Sequence, residues 1–335
     1  MTVALPTSVS AVAHSNIALV KYWGKRAGTS PGLNLPAVGS LSMTLSDLRT
    51  QTRVRPGAEN DRFALDGKAL TGPFATKVFD HLDRIWRSKH TGERPRCDVE
   101  SVNHLPTSAG LASSASGFAA LTLAAAAAFR LPLDLPALSR LARQGSGSAA
   151  RSLWGGFVRL ARGQRSDGLD CHARPLFPAS HWDTRLLIVH TAKGPKSVSS
   201  RAGMEQSRLT SPYYPPWVAT SEEDLDAAEQ ALRERDIQTL GTIMEHSCFK
   251  MHACMMATQP PLVYWNGTTL DVFHALWAAR AQGLAGYGTS DAGPHVKVFC
   301  LPHTAAPLRE KLAEVPGVHK IDIVKPGPDA SVEVT

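Results

Sequence analysis

Four short segments carry side chains able to work on an anion. Asp291 lies in the turn Gly288-Thr289-Ser290-Asp291-Ala292-Gly293-Pro294. There it can serve as a general base or metal ligand, or simply make the Asx-type hydrogen bonds that place Asp in turns. In Gln144 to Ser152, Ser148 and Arg151 stand three residues apart, so they share a face if the segment is helical. A guanidinium there forms a planar fork for a carboxylate or phosphate, or a surface ion pair. Pro106 to Ala115 is rich in Gly, Ala and Ser and fits neither the Walker pattern nor GxGxxG. Small residues nevertheless let the N–H groups of Gly110, Leu111 and Ala112 approach an anion, and the following helix adds its positive end. Ser113 and Ser114 can donate to phosphate or ligate Mg²⁺, although a tightly packed helix start has the same composition. The fourth segment holds Asn16, Lys21, Tyr22 and Lys25 ahead of the first acid of the chain, Asp47.

These residues need rigid carriers. Alternating apolar residues predict strands over Asn16 to Tyr22 and Ser40 to Val54, with the turn-rich Ala27 to Gly39 between them. Phe74 to Lys89 reads as a helix and Arg96 to Val102 as a strand, and an alanine-rich helix runs from the small-residue loop to Phe129. Strand, small-residue loop, helix is the order in which helix N-termini meet phosphates. A helix over Leu135 to Ala142 and strands over Gly156 to Leu160 and Arg185 to His190 follow. Gly163 to Asp183 lacks periodicity, which puts a domain boundary near residue 185. Beyond it come helices over Glu222 to Arg235, Ile237 to Ala257, Thr268 to Gln282 and Leu308 to Val315, a hairpin over Leu284 to Leu301 carrying Asp291, and a strand over Lys320 to Val324. The second half is therefore α+β.

Apolar residues are 43% of the 335 and charged residues 19%, which supports a globular core and excludes wholesale disorder. The net charge of +7 gains meaning from its distribution: from Ser101 to Ser166 the only acid is Asp134, among seven arginines. Two acid-free, base-bearing segments read as walls of an anion site. No arginine-rich helix or basic-aromatic platform supports nucleic-acid binding. Five scattered cysteines without CxxC favour a reducing cytoplasm, and no signal peptide or membrane span is expected. His246, Cys248, His252 and Cys254 do not converge four ligands on one zinc at helical spacings of two, four and six. Tyr213-Tyr214-Pro215-Pro216-Trp217 is expected to pack over a cleft or at an interface.

Asn16-Ile-Ala-Leu-Val-Lys-Tyr-Trp-Gly-Lys25, Pro106 to Ala115, Gly145 to Gly156 and Asp291-Ala-Gly-Pro294 together resemble, in order and spacing, the diphosphomevalonate decarboxylases of the GHMP kinase superfamily. The similarity extends through Ser200 to Met204, Thr210-Ser211 and His252 to Asn266. It implies an α+β GHMP kinase fold. Residues 1–185 would form a ribosomal-protein-S5-domain-2-like α/β domain and residues 186–335 a ferredoxin-like domain, with the active site between them. The implied reaction is the ATP- and Mg²⁺-dependent decarboxylation of mevalonate 5-diphosphate in isoprenoid biosynthesis, by a cytoplasmic homodimer. A mevalonate 5-phosphate decarboxylase and a mevalonate-type kinase are the alternatives, because Gly288-Thr289-Ser290 and His295 depart from many relatives. By resemblance, Asp291, Arg151 and Lys21 are catalytic, with Asp291 at the 3-hydroxyl and Arg151 on the substrate carboxylate beside Ser148. Asn16, Tyr22, Lys25, Ser200, Arg201 and Met204 match substrate-binding positions. Asn103, Pro106, Gly110, Leu111, Ala112, Ser113 and Ser114 match the nucleotide site, Ser114 also the Mg²⁺ ligand.

Overall fold

The computed structural model describes residues 8–104, 113–192, 194 and 198–334. Its first sheet is built on β1 (Val9–Val20) and β2 (Ser40–Pro56), antiparallel neighbours. Between Ala18 and Val20, two steps along β1 oppose one along β2. Such a bulge re-aims the strand end, and Lys21 follows at once. β1 begins at Val9, seven residues before the predicted start at Asn16, because Val9 to Val12 also pair with β12 (Ser331–Val334). β3 (Arg62–Leu65), β4 (Lys68–Ala69) and β5 (Cys97–His104) extend the sheet on the far side of β2. β6 (Phe157–Leu160) pairs with the start of β2 and with β7 (Ala173–Phe177). β7 lies in the stretch expected to be irregular; Arg174 and Pro175 break its pattern, and Pro is tolerated because, among the described residues, β7 pairs only with β6.

Three helices cover this sheet: α1 (Pro73–Arg87), α2 (Ser113–Ala128) and α3 (Leu135–Gly145). Alanines at 115, 119, 120, 124, 125 and 128 are buried around α2, as expected of a helix apolar all round that runs through a core. Asp134 caps α3 by accepting from Ala137 N at 2.8 Å.

The second sheet contains β8 (Arg185–His190), β9 (Gly286–Ser290), β10 (Val296–Cys300) and β11 (Lys320–Val324), all antiparallel, in the order β11-β8-β10-β9. With α8 (Pro302–Ala313) between β10 and β11, this is the fourth-first-third-second order of a ferredoxin-like sheet. α4 (Ser200–Thr210), α5 (Tyr214–Glu234), α6 (Ile237–Met256) and α7 (Gly267–Ala281) fill the first crossover. α5 starts eight residues before the predicted Glu222, because Pro215 and Pro216 occupy its first turn, where their missing N–H groups cost nothing. α8 likewise begins at Pro302 rather than Leu308.

The two sheets share a continuous core in which Ile17, Leu19, Leu41 and Met43 pack with Leu186, Ile188, Leu240 and Phe299. The end of β1, the β9–β10 turn and the 3₁₀ segment Gly147–Arg151 are thereby held on one rigid frame.

Candidate active site

Asp291 opens the β9–β10 turn, which is closed by Gly293 N donating to Asp291 O at 2.7 Å and Ser290 Oγ donating to Gly293 O at 2.8 Å. Lys21 Nζ donates to Asp291 Oδ1 at 2.8 Å and to Ala18 O at 3.0 Å. Lys297, absent from the sequence-based site, lies 3.2 Å from Asp291 Oδ2. The lysine side chains are 1% and 4% exposed, whereas Asp291 keeps 40% open. Burial by itself would push the Asp291 carboxyl up, but the two ammonium groups hold it well below the usual carboxylate range.

Arg151 ends the 3₁₀ segment Gly147–Arg151 and is 2% exposed. Its guanidinium donates to Asn16 Oδ1 at 3.0 Å, Ser42 Oγ at 3.0 Å and Ser40 Oγ at 2.6 Å. It lies 5.7 Å from the Tyr22 ring centroid, within cation–π range. All these partners are neutral, and among the described residues no acid forms an ion pair with it. Burial pushes its pKa down to about 10, partly offset by the fields of Tyr22 and Asp291. A buried cation without a counterion is a receptor for an anion. Asn16 is itself fixed, donating to Ser148 O at 3.0 Å and Ser152 Oγ at 2.7 Å.

Lys25 Nζ donates to Tyr22 Oη at 2.6 Å. The Tyr22 hydroxyl sits so close over Gly147 that a Cβ there would be 2.1 Å from it, so any side chain at 147 displaces the ring. Burial, then the charges of Arg201 and Arg143, pushes the Lys25 pKa down to about 7. An incoming anion restores the ammonium and therefore takes up a proton. Titrating inorganic pyrophosphate at pH 7.5 in buffers of different ionisation enthalpy should show uptake of roughly half a proton or more per site. Lys25→Met should abolish that uptake, and equal heats in all buffers for the unaltered protein would refute this role.

Asn103 and Ser114 line a cavity of about 120 Å³ with Thr50, Phe63 and Phe118 among its walls. Asn103 is held by Thr50 Oγ1, which donates to its Oδ1 at 2.9 Å, and by its own N–H on Asp66 Oδ1 at 2.7 Å. An apolar slot with a few fixed polar groups suits a flat heteroaromatic base, and the start of α2 beside it suits phosphate. Pro106, Gly110, Leu111 and Ala112 lie outside the described residues.

The N-terminal part of the chain, residues 13–173, matches the family model described as Diphosphomevalonate decarboxylase-like N-terminal domain. Residues 186–325 match Mevalonate 5-diphosphate decarboxylase C-terminal domain. A Diphosphomevalonate decarboxylase of Candida albicans is 35% identical over 306 residues, covering 87% of this chain and 84% of that one. The chain belongs to the diphosphomevalonate decarboxylase family. A crystal structure of mevalonate diphosphate decarboxylase from Staphylococcus aureus superposes with a TM-score of 0.91 at 34% identity, covering 98% of each chain. Another solved structure, MDDEF in complex with MVAPP, AMPPCP and magnesium, gives 0.90 at 36% identity, covering 99% of this chain and 100% of that one. The GHMP kinase fold expected from the sequence is therefore present.

Within this decarboxylase-family frame, the structure gathers Lys21 and Asp291 at one point, and Asn16, Tyr22, Lys25, Ser148 and Arg151 around the 3₁₀ segment. Ser200 and Arg201 open α4, which Ser199 caps by accepting from Ala202 N at 3.3 Å. Arg201 is exposed, yet its charge bears on both Tyr22 and Lys25. Met204 is buried with Trp23 and Tyr264 in an apolar cluster. His295 faces β8: its Nδ1 accepts from Thr191 N at 3.2 Å, and its ring lies 5.2 Å from that of His190. Cys248 Sγ and His252 Nε2 meet the backbone of Ser290 at 3.1 and 3.3 Å, and among the described residues no three His, Cys, Asp or Glu side chains converge on a metal position. Lys297 carries no sequence signal, because alternation in Val-Lys-Val-Phe-Cys does not tell whether the face of the lysine is covered, and in the fold every position of β10 is buried.

Proposed function

We propose that this protein decarboxylates mevalonate 5-diphosphate at the expense of ATP, giving isopentenyl diphosphate, ADP, phosphate and CO2. The observation that carries this reading is a depressed carboxylate, Asp291, on the same frame as Arg151, a buried guanidinium bonded only to neutral oxygens. A kinase needs the first group to direct a hydroxyl. The second is a receptor for an anion, and the carboxylate that a decarboxylase must hold fits its planar fork.

Tertiary hydroxide is a poor leaving group, and phosphorylating the 3-hydroxyl makes it a competent one. A carboxylate this acidic is a weak base at neutral pH, since proton-transfer catalysis favours a pKa near the working pH. Asp291 therefore orients the hydroxyl by accepting its hydrogen bond, and receives the proton late, as a loose phosphoryl transfer allows. Arg151, with Ser148 beside it, fixes the carboxylate so that the C–C bond to be broken aligns with the departing 3-phosphate. Asn16 holds the guanidinium in place. Tyr22, Lys25, Ser200 and Arg201 supply the cationic rim for the 5-diphosphate, and the half-neutral Lys25 keeps that rim from being overcharged before the substrate arrives. Met204 backs this wall through Trp23.

ATP and Mg²⁺ fit the other side of the site: the Asn103–Ser114 cavity accepts the base, the start of α2 the phosphates, and the Ser114 hydroxyl is a hard oxygen of the kind Mg²⁺ takes. Bound Mg²⁺ supplies charge neutralisation for the transferred phosphoryl group. We place the nucleotide on residues 1–185 and the catalytic carboxylate on residues 186–335. A homodimer in a reducing cytoplasm completes the reading; five buried, unpaired cysteines support the compartment. Among the described residues no helix is long and apolar enough to cross a membrane.

Incubation with ATP, Mg²⁺ and mevalonate 5-diphosphate should release one CO2 per ADP. ADP without CO2 would sink the reading, and a preference for mevalonate 5-phosphate under the same conditions would move it to the alternative substrate.

A further inference from the structure

The mechanism above leaves Lys297 without a task, although its position is costly. It stands in β10, buried at every residue, and its ammonium has Asp291 Oδ2 at 3.2 Å and His295 O at 3.2 Å for company. Lys21 already neutralises the same carboxylate from Oδ1 at 2.8 Å. Two ammonium groups thus share one carboxylate, and among the described residues neither pairs with another acid. The remaining titratable groups around them do not redress the balance. Cys248 and His252 approach from α6, His295 from the turn into β10, His190 from β8, where it is already bonded to Asp322, and, further off, Arg151 from the 3₁₀ segment. A Met or Leu would fill the space in this strand without desolvating a charge. Burial pushes the Lys297 pKa down while Asp291 holds it up, so an anion at the open face of Asp291 would favour its charged form.

We propose that Lys297 is a positioning residue for the phosphorylation step. It fixes the rotation of Asp291 by holding Oδ2, and it gives the Lys21–Asp291–Lys297 group the excess positive charge that meets the phosphoryl group at the tertiary oxygen. In that step the hydroxyl oxygen bonds the γ-phosphorus, the bond from γ-phosphorus to the ADP oxygen breaks, and the hydroxyl proton passes to Asp291 and on to solvent. The proposal rests on the decarboxylase reading.

Lys297→Met tests it. kcat should fall about 10²-fold, the scale for losing one preorganised electrostatic partner, with the KM values for both substrates changed less than about threefold. The acid limb of the kcat/KM profile should move to higher pH, because Asp291 loses one of its two cations. In the Asp291→Asn background, Lys297→Met should cost little more, since the lysine acts through the carboxylate. An unmoved acid limb, wild-type kcat, or losses that simply add in the double variant would each overturn the proposal. Lys297→Gln, shorter and still a hydrogen-bond donor, serves if the Met variant fails to fold. If neither neutral variant folds, the lysine is structural and the proposal falls. Wild-type protein that releases no CO2 would instead refute the proposed function.

Discussion

Asp291→Asn should lower kcat by at least about 10²-fold, within the range for a lost acid–base group, while ATP affinity stays within about twofold. The substitution keeps the volume and one hydrogen-bonding oxygen, so the turn built on Gly293 N and Ser290 Oγ survives. It removes the one negative charge between Lys21 and Lys297, and these buried ammonium groups are left facing each other. The cavity proposed for the nucleotide lies on the other sheet, where Asn103 is held by Thr50 and Asp66, and nothing there changes. A second signature is thermal. A carboxylate whose native pKa is depressed contributes stability that is fully present above its unfolded value near 3.9 and is lost as pH falls toward the native value. Wild type should therefore melt higher than Asp291→Asn at pH 5 and above, and the gap should close as the pH drops below about 4. Steady-state kinetics and melting curves between pH 3 and 7 check both. Activity above about a tenth of wild type would remove Asp291 from its role, and a melting gap that widens in acid would show that it is not clamped as a carboxylate.

What could be read in the sequence follows from how local each signal is. Asp291 and Arg151 each sit in short, polar, glycine-bearing segments, where a charged side chain stands out. Both stand out as chemistry, each beside a purely structural alternative, an Asx turn for Asp291 and a surface ion pair for Arg151. Asn16, Lys21, Tyr22 and Lys25 were visible because no acid precedes Asp47. Lys297 was not, since period-2 alternation says only that 297 faces opposite to 296 and 298. Whether that face meets water depends on the elements packed over the sheet, information that arises only in the folded chain. The same limit hid the first half of β1, whose Val9 to Val12 are completed by β12 more than three hundred residues later. β7 was lost for a local reason: Arg174 and Pro175 spoil the pattern of a strand that needs only one partner. In Tyr213 to Trp217 the prolines mask a helix start, and only part of the segment packs: Tyr214 and Trp217 are buried, with Trp217 Nε1 donating to Trp23 O at 3.1 Å, while Tyr213 is exposed.

Arg151→Met should separate stability from function. In the free protein the guanidinium is buried among hydroxyl and amide oxygens, and burial pushes its pKa down to about 10. Its desolvation is repaid only by neutral partners, and replacing such a charge with an apolar side chain of similar length is often neutral or stabilising. Asn16 keeps Ser148 O and Ser152 Oγ, while its Oδ1 and the buried Ser40 and Ser42 hydroxyls lose a donor, which offsets the desolvation regained. The melting temperature should therefore change little. kcat/KM should fall on the order of 10³-fold, since the variant loses both a charge-assisted, bidentate grip on the carboxylate and the alignment of the bond to be broken. That alignment matters more than the attraction itself. The carboxylate loses its charge as CO2 forms, so attraction alone would favour the ground state. Arg151→Lys, which restores the charge without the planar fork, should consequently recover KM better than kcat. Phosphorylation that continues in the Met variant while CO2 release lags behind ADP would display the uncoupling directly. A large loss of stability with near-normal coupling would mean that Arg151 serves the fold rather than the reaction.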